Sequence, residues 1–181
     1  MTIPADTTPA TLDPVTEGLF NFAIDREDVK WLVANLPATV SETERNTVEY
    51  ELQILKILFV GWAILYTMEE GHLRQNLAEA YWQAVHELAA NISQTTGMMI
   101  GKEVDYFAAV RERLDQYLNL LQQDDGVNPA GVVGQAFAGN CGAPDDLSIA
   151  MAGSRLFVST IGKVKEFLNE VAAAAPQSKP H

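Results

Sequence analysis

Cysteine, basic side chains and long apolar runs are all scarce in this chain of 181 residues. Cys141 is the only cysteine, so no disulfide can form within the chain. A reducing compartment is the default for such a sequence, and a cytoplasmic location is expected. Twelve Lys and Arg stand against twenty-four Asp and Glu, a formal net charge of −12 with no basic run to offset it. General affinity for nucleic acid comes from Lys and Arg neutralising phosphates, so nucleic acid and anionic membrane surfaces are not expected partners. The longest apolar run, Ile57 to Met68, is only about twelve residues and is bracketed by Lys56 and Glu69, whereas a membrane-spanning helix needs about twenty. It reads as a core helix. The start, Met1-Thr2-Ile3-Pro4, lacks the basic and apolar stretches of a secretory signal. Alternating strand patterns, internal repeats and a linker long enough to divide the chain are also missing.

What is present is helical periodicity. With 48% apolar and 20% charged residues, the composition is that of a globular protein. The expected fold is all-α: a bundle of about four long helices with two or three short accessory helices, one domain over residues 13–173, and tails at 1–12 and 174–181. Asp13-Pro14 and Asn128-Pro129 each offer a cap followed by proline at the first helical position. Asp25 is a further cap, and Pro37 stops the helix that follows it. Ser41 and Glu44 form a capping box, opening a helix that runs to about Glu70. Its first half is polar; its second half is apolar nearly all round, and Gly61 within it allows close approach of a neighbour. Gly71 supplies a left-handed helix end. A new cap at Asn76 and a stop at Gly97 bound the next helix. Phe107, Val110, Leu114, Tyr117 and Leu121 form the cleanest apolar stripe, with Arg111 and Arg113 on its solvated flank. Glycines cluster from Gly126 to Gly142, and Pro144, Asp145 and Asp146 open the last long helix.

No complete chemical motif emerges. Glu69 and His72 have the Glu-x-x-His spacing of di-iron bundles, but a full site needs a second such pair and two more glutamates. No metal and no cofactor are expected. The segment Gly97 to Glu103 fails the spacing, the Ser/Thr and the preceding strand of a phosphate-binding loop. His86 has no nucleophile or orienting carboxylate evident in sequence and reads as structural. Cys141 reads as an inert thiol. Met98, Met99 and Ile100 form a loop that either folds back over the bundle end, the favoured reading, or offers an apolar patch to a partner.

These features lead to the expectation of a non-catalytic protein acting through contact with itself or another protein, most simply as a homodimer. Met98, Met99 and Ile100 are the candidate interface residues. The alternatives are an enzyme or ligand binder with a pocket between helices, for which Tyr66, Glu69, His72, His86 and Tyr106 are the candidate polar groups, or a carboxylate–histidine metal protein.

Overall fold

The computed structural model describes residues 14–100, 105–124 and 126–174. These form an all-α bundle with no strand among the described residues: α1 (Pro14–Ile24), α2 (Glu27–Ala34), α3 (Glu42–Thr67), α4 (His72–Ile100), α5 (Tyr106–Gln123), α6 (Pro129–Asn140) and α7 (Leu147–Ala174). Four are long and three short. None is long and apolar enough to cross a membrane, among the described residues.

Local chemistry sets the helix starts. Ser41 Oγ accepts from the Glu44 N–H at 3.3 Å while the Glu44 carboxylate accepts from the Ser41 N–H at 2.7 Å, closing the capping box of α3. The Ser41 hydroxyl, donating to the Glu44 carboxylate at 2.6 Å, and then the Ser41 N–H hold the Glu44 carboxyl below its ordinary range. Asn128 caps α6 through Gly131 N–H, with Pro129 at the first turn, and Asp146 accepts from the Ser148 and Ile149 N–H groups at the head of α7. Asp13 lies outside the described residues. Asp25 still accepts from Glu27 N–H at 2.9 Å, although Arg26 occupies the cap position of α2.

Three helix boundaries differ from expectation. Helix α3 stops at Thr67 because Met68 turns extended (φ −91°, ψ 144°), and Arg74 donates to the freed Leu65 carbonyl at 3.2 Å. Gly71 is not left-handed; among the described glycines only Gly126 and Gly142 have positive φ. Helix α4 then begins at His72, not Asn76, and continues through Gly97. An interior glycine costs about 1 kcal/mol, which a 29-residue helix packed on its neighbours absorbs.

Helix α3 is the axis of the fold, touching α1, α2, α4, α5 and α7. Ile54 to Val60, with Ala63 and Ile64, are buried. Gly61 fills the expected role, since a Cβ there would sit 2.5 Å from the Trp82 ring. Of the α6 glycines, Gly134 serves close packing on α7: a Cβ there would meet Ser154 Oγ at 2.1 Å and the Ala150 carbonyl at 2.5 Å.

Lys56 does not bracket the core from outside. It is 1% exposed, bonded to Asp28 Oδ1 at 2.7 Å and the Asp25 carbonyl at 2.8 Å, with its ammonium 4.3 Å from the Phe22 ring centroid. On α5 the buried stripe is Tyr106, Val110 and Tyr117. Phe107, Leu114 and Leu121 are only partly buried. The rotation carries Arg113 onto the inward face, where it grips Glu51 of α3 with bonds of 3.0 and 2.9 Å.

Candidate functional site

Four of the five polar groups expected to share a pocket are distributed over the surface. Tyr66 is exposed at the end of α3 and stacks on Trp62, ring centroids 4.5 Å apart. Glu69 lies in the link after α3, beside a hollow walled by Leu73, Leu77 and Leu168. His72 is the exposed first residue of α4, so Glu69 and His72 do not share a helical face. His86 is exposed and meets the Phe107 ring edge-on at 4.6 Å, in an open hollow with Ser93 and Asp105. The Asp105 carboxylate is already engaged in capping α5 through Ala108 N–H. Among the described residues no three His, Cys, Asp or Glu side chains could share a metal ion. Met98 and Met99 are not in a loop folded back over the bundle. They ride the last turn of α4, 76% and 80% exposed; the side chain of Ile100 lies outside the described residues.

Tyr106, the fifth, sits in a cavity between packed helices. One face of α3 descends into this slot of about 430 Å³: Asn46, Glu49, Tyr50, Gln53 and Ile57, at spacings of three and four. The face grades from exposed Asn46 to fully buried Ile57. Leu88 and Ile92 of α4 form the opposite wall. Tyr106 closes one end, its ring edge-on to Tyr50 at 6.1 Å, and its N–H anchored to Ser93 Oγ at 3.0 Å. Arg26 and Glu49 pair with each other at the mouth. Gln53 donates to the Ala23 carbonyl at 2.7 Å, which fixes the amide orientation. Burial pushes the Tyr106 hydroxyl up to about 12, with Tyr50 and Glu51 adding to the effect and Arg26 opposing it. Burial, then Glu51, also raises Tyr50. No family model, curated protein or solved structure matches the chain.

Behind the slot lie the Glu51–Arg113 pair, Tyr117, which accepts from Asn140 at 3.2 Å, and buried Cys141. Burial pushes the Cys141 thiol up to about 12, Glu51 adding to it, which opposes thiolate formation and nucleophilic chemistry.

A different surface runs along α7. Leu147, Met151 and Val158 are 73%, 45% and 57% exposed. Spacings of four and seven put them on one outward face. Trp62, stacked under Tyr66, comes up beside this helix with its ring 6.3 Å from Phe157. Sequence periodicity points to the inward stripe of α7 and passes over this outward one. Reading α7 for a second apolar line at the same spacing finds it.

Proposed function

We propose that this protein is a non-catalytic helical-bundle module that works through protein–protein contact, in its simplest form as a two-fold homodimer. The observation that carries this reading is the outward line of Leu147, Met151 and Val158 on α7. Single exposed apolar residues are ordinary on any surface; here three share one helix face, with exposed Arg155 between Met151 and Val158. Exposed Met98 and Met99 at the end of α4 add flexible apolar surface of the kind that adapts to partners. A cytoplasmic setting suits the single buried thiol.

Fully covering a Leu, Met or Val side chain contributes about 1.5–3 kcal/mol, and association costs at least about 4 kcal/mol. Three partly exposed side chains from each copy therefore support a weak dimer, with a dissociation constant on the order of 100 μM. Sedimentation equilibrium from low micromolar to several hundred micromolar should show mass rising towards the dimer. Met151→Glu with Val158→Glu should hold the chain monomeric without lowering its melting temperature. A wild-type chain that stays monomeric throughout ends the homodimer reading.

A further inference from the structure

The slot between α3 and α4 contains an unsatisfied acceptor, and it lies apart from the outer face of α7. Gln53 is one of its lining residues. Gln53 Nε2 donates to the Ala23 carbonyl of α1 at 2.7 Å. A carbonyl accepts and never donates, so this bond assigns the nitrogen and the oxygen of the amide. Gln53 Oε1 is left buried, with no hydrogen-bond partner among the described residues. It is the one side-chain atom of the slot in that state. Nearly all buried polar atoms find partners, and an acceptor without one is costly.

The rest of the slot narrows what supplies the donor. Its volume of about 430 Å³ falls within the range of ligand cavities, which combine apolar walls with a few placed polar groups. Ile24, Ile57, Leu88 and Ile92 give aliphatic wall, and Tyr50 and Tyr106 give two rings set edge-on. The only ionic side chains lining the slot are Arg26 and Glu49, and they bond to each other. An ammonium is also a donor, but here it would lose its water against hydrocarbon beside a carboxylate that is already paired. Tyr50 is nearly half exposed, so water serves its hydroxyl and it does not set the ligand class. What fits is one neutral N–H or O–H on a mainly hydrocarbon body.

We propose that this slot binds a small uncharged, mainly hydrocarbon molecule that donates one N–H or O–H to Gln53 Oε1, with indole and phenol as the simplest aromatic members of the class. The hydrocarbon body lies against Ile57, Leu88 and Ile92. Gln53 keeps its bond to Ala23 throughout, its nitrogen serving α1 and its oxygen serving the ligand. Oε1 is shielded from bulk solvent, so the ligand meets it through a small turn of the amide about the retained Ala23 bond. No water then competes with the donor.

Indole and benzofuran have nearly the same size and shape and differ at one ring position, N–H against oxygen. Each is titrated into the full chain while backbone amide shifts are followed by ¹H–¹⁵N NMR. Indole should give saturable shifts centred on Gln53, the Leu88–Ile92 turn and the start of α5. Benzofuran should bind about three- to tenfold more weakly, the loss of one hydrogen bond. Benzylamine, a charged donor at neutral pH, should bind at least about tenfold more weakly than indole. In Gln53→Met, which keeps the length of the side chain and removes the acceptor, indole should fall to the level of benzofuran. A purely structural role for Gln53 would weaken both ligands alike. If Gln53→Met fails to fold, the ¹³C resonance of the Gln53 side-chain carbonyl in the parent chain carries the comparison, moving downfield with saturating indole and not with benzofuran. Absent saturation by indole, equal binding of indole and benzofuran, benzylamine within a few-fold of indole, a preference for indole that persists in Gln53→Met, or shifts centred on the hollow near Leu73 and Leu168 would each overturn the proposal.

Discussion

Replacing Arg113 by methionine should destabilise the protein by about 3 kcal/mol, because it strands a buried carboxylate. Glu51 is 5% exposed, and its two oxygens accept from Arg113 Nε and Nη2 at 3.0 and 2.9 Å. Methionine keeps much of the aliphatic stem and removes both donors. Removing one partner of a buried pair costs about 3–5 kcal/mol. The Arg113 side chain is 22% exposed, so water reaches part of the site and the lower end of that range applies. For a chain of this length the loss corresponds to a melting temperature lower by about 6–12 °C. Urea titration followed by far-ultraviolet circular dichroism measures it directly. A second arm isolates the cause: Glu51→Leu with Arg113→Met removes both charges, and this double variant should lie within about 1 kcal/mol of the parent. If the single variant loses less than about 1 kcal/mol, or the double is no better than the single, the stranded-charge account is refuted.

Gly134→Ala should destabilise by about 1–3 kcal/mol, because its Cβ would press on the Ala150 carbonyl at 2.5 Å. Gly162→Ala, mid-α7 with nothing within 4 Å, should stabilise by about 1 kcal/mol; chemical melts with the opposite ordering would refute the packing of α6 on α7. Alkaline pH offers a third check. The Cys141 thiol rises from its usual 9.0 to about 12 and the Tyr106 hydroxyl from 10.0 to about 12, both chiefly through burial. Folded values above unfolded ones mean that stability is complete below about pH 9 and is lost as pH climbs towards 12. Melting temperature should fall across that window and Cys141 should react with thiol reagents only on unfolding; a flat profile, or rapid labelling of the folded chain, would contradict the burial.

The all-α bundle, the Ser41–Glu44 box, the Asn128-Pro129 start and the buried middle of α3 were legible because each depends on residues close together in sequence. The misreadings have one physical origin. Gly71 and Gly97 were read as helix ends from their intrinsic preference, but Met68 makes the turn and tertiary packing carries α4 through its glycine. Lys56, Glu51 and Arg113 look like surface residues until partners 28 and 62 positions away are known. On α5, Val110 and Tyr117 of the expected stripe are buried, but Tyr106 replaces Phe107 at its head and Leu114 and Leu121 are only partly covered. For the candidate slot, the sequence points to Tyr106 and not to Tyr50. The signal available for Tyr50 was the three-and-four spacing from Asn46 to Ile57, which also belongs to the amphipathic pattern of any helix.

The central position of α3 carries a consequence for synthesis on the ribosome. Its most extensive partner is α7, whose last described residue comes 107 positions after Thr67. At about 5–20 residues per second, the growing chain must hold Ile54, Leu58 and their neighbours without their final cover for roughly 5–20 seconds. During that interval α1, α2, α4 and then α5 cover the other flanks of α3, and the nascent protein exposes the side that α7 will close for a chaperone to hold.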